Sequence, residues 1–244
     1  HYAELFINGR LVYKRFSPAE QYGCAEGGAT NVIASLLAGA EIAANNGTAP
    51  YGNDFKREVE CGAKQAECIE RWARHVGCWT DSVDKTLSES LGEQIAEGGE
   101  AKVYDHGATL IKTIGLDYFV HPILALDRIS LHNAYFPETN LTVLGFGRTD
   151  DNEFKIVVEQ AFIEGSHVSN EQILDYMHNM GFELRNPRNW TYATPDIYLS
   201  DLHDENVIRS KDGNIFVVDC DIRINTPELR CGGRRELTTD VEFL

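Results

Sequence analysis

Tyr198-Leu199-Ser200-Asp201-Leu202-His203-Asp204-Glu205-Asn206, continued downstream by Val217-Val218-Asp219, is the stretch that decides how this chain reads. An acid at 201, an amide at 206 and a second acid at 219 flank Lys211-Asp212-Gly213-Asn214, a strong hairpin signal between two apolar runs. A tight hairpin returns the chain on itself, so Asn206 at its entry and Asp219 at its exit are expected close together. One carboxylate can orient an attacking hydroxyl, while an amide oxygen and a second carboxylate hold Mg²⁺ against phosphates. That is the equipment of phosphoryl transfer. Solvated loops also carry such residues, so the motif needs support from elsewhere in the chain.

The support lies upstream. Ile95-Ala96-Glu97-Gly98-Gly99-Glu100-Ala101-Lys102-Val103 puts two glycines inside a strand-like run, where bare backbone can approach a ligand. Thr109-Leu110-Ile111-Lys112 follows as a second strand, joined through His106-Gly107-Ala108, with Lys112 on the face of Leu110. A lysine in an apolar strand is costly to bury unless a phosphate or carboxylate meets it. Pro122 then opens a helix carrying Ile123, Leu126, Ile129 and Tyr135 at near-helical spacing. Leu141 to Gly147 and Phe154 to Gln160 read as strands. Ser169 with Gln172 forms a capping box for a helix ending near Gly181. Strands, helix, strands, helix and a late hairpin is α+β order.

Taken together, these residues resemble the protein-kinase-like superfamily. Asp201-Leu202-His203-Asp204-Glu205-Asn206 is similar to its D-L-x-x-x-N catalytic loop, and Asp219-Cys220-Asp221 stands where D-F-G would be. Residues 95–103 resemble its glycine loop, with Ala96 and Ala101 in place of the outer glycines, and residues 109–112 resemble V-A-I-K. At finer grain the chain resembles the serine/threonine/tyrosine kinase domain of phage and conjugative-element polyvalent proteins. That likeness rests on Gln21 to Gly28, on Leu131-His132-Asn133 with Phe136-Pro137-Glu138-Thr139, and on the 201–206 loop.

The resemblance implies a compact, truncated kinase-like fold, with an antiparallel-sheet N-lobe and a minimal C-lobe. It implies ATP and Mg²⁺ as cofactors and transfer of the γ-phosphoryl group to a hydroxyl of a protein or small molecule. Gly98 and Gly99 would admit the phosphates and Lys112 would hold them. Backbone groups of Glu159, Gln160 and Ala161 would read adenine, and Asp127 is the first choice of acid partner for Lys112. Asn206 and Asp219 would bind the metal, and Asp201 would take the acceptor proton. Leu199 and Ser200 replace the His and Arg of H-R-D, and no A-P-E follows Asp219. These departures keep two alternatives open: a pseudokinase that binds nucleotide or only scaffolds, and transfer of AMP on the same fold.

Residues 1–84 read as a mainly helical region and residues 85–244 as the kinase-like core. Within the first, Leu5 to Phe16 is a hairpin candidate, Asn31 to Ala44 is helix-prone, and Asp54 to Val76 is an amphipathic helix stopped by Gly77. That helix is expected beneath the catalytic loop and the 169–181 helix, substituting for missing C-lobe, with 81–90 as a polar connector. Gly23 to Thr30 has the length of a P-loop, but Ala29 stands where the phosphate-reaching lysine is required. The formal charge of −16 disfavours nucleic acid as a partner, and no apolar run is long enough to cross a membrane. The six cysteines form no C-x-x-C and the opening residues form no signal peptide, which points to reduced thiols in a cytoplasm. The chain begins at His1, in keeping with a part of a larger polypeptide.

Overall fold

Apolar residues fill Leu5–Ile7 and Leu11–Tyr13, and the strands on either side of Asn8-Gly9 pair as an antiparallel ribbon, β1 (Glu4–Ile7) with β2 (Arg10–Lys14). The computed structural model describes residues 4–7, 10–14, 39–41, 43, 44, 55–116 and 119–225. The Gly23–Thr30 stretch, the Asp54 cap and the first part of the Asn31–Ala44 run lie outside the described residues. The chain divides into two units, 1–164 and 165–244.

The first unit is organised by a six-stranded sheet in the order β3-β7-β8-β6-β5-β4. Its members are β3 (Trp79–Asp81), β4 (Ala96–Glu97), β5 (Ala101–His106), β6 (Thr109–Ile114), β7 (Thr142–Arg148) and β8 (Phe154–Ala161). All pairs are antiparallel except β3 with β7, which run parallel. The segment 81–90, expected as a connector, instead supplies the end of β3 and the helix α2 (Val83–Leu91). Val83, Leu87 and Leu91 recur every four residues and close one face of the sheet over Tyr104, Ile111 and Val157. The 84/85 division drawn from the sequence therefore falls inside a helix.

Asp84 pins α2 to that face. Its carboxylate accepts from Lys102 Nζ at 2.7 Å and from Thr113 Oγ1 at 3.2 Å. The bond to Asp84 holds the Lys102 ammonium above its ordinary value of 10.5. A raised folded value means the pair's contribution is complete below the ordinary lysine pKa and fades as pH rises through the folded one. Asp84→Asn should therefore lower the melting temperature at pH 7. The gap to the parent should narrow as pH rises past the ordinary lysine value, read by thermal melts across pH.

The opposite face carries the larger core. Val143, Phe146, Phe154, Ile156 and Val158 from the sheet meet Ile123, Leu126 and Ile129 of α3 (Pro122–Tyr135). Ala66, Ile69 and Ala73 of α1 (Phe55–Val76) join the same cluster, as do helical residues Ala40, Ala43 and Ala44. This corrects the expected placement of α1: it packs on the sheet unit, and Trp72 meets the Phe146 ring edge-on, centroids 6.1 Å apart. Cys61 and Gln65 are buried, while Val59 and Val76 are 45% and 48% exposed. Gly62 is required, because a Cβ there would lie 2.0 Å from the Val120 carbonyl oxygen in the chain leading into α3. A sequence stripe reports that a helix is amphipathic; it carries no label for the surface that receives it.

The second unit has one helix among its described residues, α4 (Asn170–Asn179), with the expected reciprocal capping box between Ser169 and Gln172. The other elements described there are strands. One sheet runs β10 (Glu183–Asn186), β11 (Thr191–Ala193), β12 (Ile197–Ser200), β15 (Asp221–Ile224). The other runs β14 (Ile215–Val217), β13 (Val207–Ser210), β9 (Gly165–His167). Ile173, Met177, Tyr192, Leu199 and Ile222 are buried between these elements or beneath them.

Candidate functional site

Two nested strand pairings build the candidate site in the second unit. The outer pair, β12 with β15, sets Ser200 opposite Asp221. The inner pair is the expected hairpin, β13 with β14, turning through Gly213 at φ +86°. The Val218 N–H extends the inner ladder by donating to the Asn206 carbonyl at 2.9 Å. The loop 201–206 is thus clamped opposite the tripeptide Val218-Asp219-Cys220. Asp201 follows the paired Ser200, Asn206 precedes the paired Val207, and Asp219 lies midway between the paired Val217 and Asp221.

Asp201 takes the left-handed conformation, φ +64°, which a short polar side chain tolerates better than most. Its side chain is 62% exposed. Asn206 Nδ2 donates to the Asp201 carbonyl at 2.8 Å and lies 3.2 Å from Asp201 Oδ2. A carbonyl only accepts, so the amide nitrogen must face Asp201, and Oδ1 is the atom Asn206 has for a ligand. Asp219 Oδ1 accepts from the Cys220 N–H at 2.9 Å, and Ser200 Oγ donates to Asp221 Oδ2 at 3.2 Å.

His203, given no role from the sequence, belongs to this cluster. The Glu205 N–H lies 3.3 Å from its Nδ1, and Asn206 Nδ2 lies 3.2 Å from its Nε2. That nitrogen stands 3.6 Å from Asp201 Oδ1. The D-L-H spelling was visible, but spacing alone does not show that a histidine two residues along a loop folds back on the acid.

The remaining expected residues lie in the first unit. Gly98 and Gly99 occupy the turn between β4 and β5, where the Gly98 N–H donates to the Ala101 carbonyl at 2.9 Å. Lys112 is half-buried at the centre of β6, paired with Val103 on one side and Val158 on the other. Alternation puts it on the face of Ile114 and Val158, the face that α3 covers. Asp127 lies on α3, half-buried. Glu159, Gln160 and Ala161 end β8 and pair with β6; on the β7 side pairing stops at Thr142–Glu159, leaving that side of Gln160 and Ala161 outside the ladder. Gln160 is buried and its Nε2 donates to the Thr139 carbonyl at 2.8 Å. Glu159 accepts from Thr109 Oγ1 at 2.8 Å.

The order glycine turn, lysine strand, helix, two strands, clamped acid loop and second acid coincides with a family match. Residues 62–226 match the model of the serine/threonine/tyrosine kinase found in polyvalent proteins. The chain belongs to that family. The match spans well over half of this polyvalent-protein kinase domain and begins inside α1, so the helix is part of what the family shares. No curated protein matches the chain. The family is one of phosphotransferases by name, and the mixed α and β sheets fit a kinase-like domain. Among the described residues no helix is long and apolar enough to cross a membrane. Among them, too, no three His, Cys, Asp or Glu side chains group as a ready metal cluster.

Proposed function

We propose that this kinase domain transfers the γ-phosphoryl group of ATP to a hydroxyl acceptor, a protein side chain or a small molecule. The observation that carries the reading is the nested pairing that sets the 201–206 loop opposite Val218-Asp219-Cys220. Asp201 accepts and orients the acceptor hydroxyl's proton, with His203 Nε2 beside its carboxylate. Asn206 Oδ1 and the Asp219 carboxylate are hard oxygen donors of the kind Mg²⁺ takes, two protein ligands being enough where phosphate oxygens and water complete the shell. When bound, that ion neutralises charge on the phosphates. Gly98 and Gly99 offer backbone to the phosphates, Lys112 offers its ammonium, and Glu159, Gln160 and Ala161 at the end of β8 offer backbone groups to adenine. Asp127 is retained as the acid that orients Lys112. An acceptor in the compartment of a larger, cytoplasmic polypeptide fits the reduced cysteines.

The test uses γ- and α-labelled ATP with lysate or candidate acceptors. The γ label should move to the acceptor and the α label should not; transfer of the α label instead identifies AMP transfer. Asp201→Asn keeps a residue that accepts the left-handed backbone, so it should leave Mg-ATP binding within about twofold and cut transfer by about a hundredfold or more. Equal transfer by parent and variant removes Asp201 from the role. A second reading, nucleotide binding without transfer, is favoured by Ala96 and Ala101 in the glycine turn. Binding with neither label moving would establish it.

A further inference from the structure

Glu100 closes the glycine turn with a carboxylate one residue beyond Gly99. Its backbone is held, since its carbonyl accepts from the Gly115 N–H at 2.7 Å. Its side chain is held as well, by the guanidinium of Arg128 on α3. Arg128 is only 14% exposed, its guanidinium carbon lies 5.3 Å from the centroid of the Phe119 ring, and Glu100 is 32% exposed. Helix α3 is itself tethered by Ser130 Oγ, which donates at 2.9 Å to Glu41, an acid only 3% exposed. A partly buried guanidinium–carboxylate pair of this kind is directional and resists screening.

We propose that Arg128 is a positioning residue for the nucleotide. It anchors the Gly98-Gly99 turn to α3, and it neutralises a carboxylate that would otherwise repel the triphosphate. The assignment rests on the phosphotransfer reading. It gives α3 a second link to the nucleotide side besides the one proposed through Asp127, and it makes removal of the arginine alone worse than removal of both charges. Arg128→Ala removes the guanidinium charge that offsets the Glu100 carboxylate, whereas Arg128→Ala with Glu100→Gln removes both charges and leaves the turn loose.

Hydrogen exchange of the 98–101 amides in the nucleotide-free protein reads the anchor, and KM for Mg-ATP against kcat reads the charge. Arg128→Ala should speed exchange at these amides and raise KM about tenfold with kcat within about threefold. Adding Glu100→Gln should bring KM most of the way back while exchange stays fast. Glu100→Gln alone, which removes no buried bulk, should speed exchange with KM within about threefold of the parent; it keeps the test decisive if Arg128→Ala does not fold. Unchanged exchange in Glu100→Gln overturns the anchor. A parent that turns over ATP with KM unmoved by Arg128→Ala overturns this role and leaves the phosphotransfer reading standing. A parent that neither binds nor turns over ATP overturns both.

Discussion

Asp219→Asn is expected to abolish the stabilisation that Mg-ATP gives the parent, and phosphoryl transfer with it. The carboxylate would supply the charge that balances the metal. An amide of the same shape keeps the oxygen but removes the charge, and Mg²⁺ gives up its water reluctantly for neutral ligands. The variant should still fold, because Asp219 Oδ1 accepts one N–H bond, from Cys220, that an amide oxygen can also accept. Melting curves with and without Mg-ATP measure the effect. A parent shift of a few degrees should fall to zero in the variant, with transfer down by at least about a thousandfold. A variant whose shift equals the parent's would show that Asp219 does not hold the metal.

The second large effect concerns the first eighty-four residues. A fragment starting at Lys85 lacks Ala66, Ile69 and Ala73, which belong to the core of the sheet unit, and the Trp72 ring that meets Phe146. It also lacks β3, which pairs with β7, and Val83, the buried first residue of α2. Each large apolar side chain so uncovered forfeits about 1.5–3 kcal/mol. Several such losses equal the whole stability of a typical domain, about 5–15 kcal/mol. The fragment should be insoluble or molten, with no cooperative melt and no nucleotide binding. A soluble, cooperatively melting, ATP-binding fragment would show that the helix and β3 are dispensable. The cause is not the one the sequence suggested: α1 is needed because the sheet unit packs on it.

What could be read in advance follows from how far each signal reaches along the chain. The hairpin at Lys211–Asn214, the capping box at Ser169 and Gln172, the strand Thr109–Ile114 and the helix from Pro122 are all written within a dozen residues, and all were legible. The parallel strand β3 is three residues long and is defined by β7, more than sixty residues away, so nothing local announces it. The α2 stripe of Val83, Leu87 and Leu91 was hidden among Asp, Lys, Ser and Glu. The four strands of the sheet containing β12 and β15 are only three or four residues each, too short for alternation to show. At the site, the residue types and spacing were legible, whereas the Arg128–Glu100 pair and the return of His203 toward Asp201 exist only through tertiary contact.

The inner hairpin has a practical use. The register is held at its base, where Val207 faces Val217 and the Asn206 carbonyl meets the Val218 amide. The segment Lys211-Asp212-Gly213-Asn214 is therefore a handle. A fluorophore or an affinity peptide grafted there, with a glycine kept for the positive φ of position 213, hangs from the end of a lever whose fulcrum stays put. Such a label could report on acceptor capture without touching the groups that would do the chemistry.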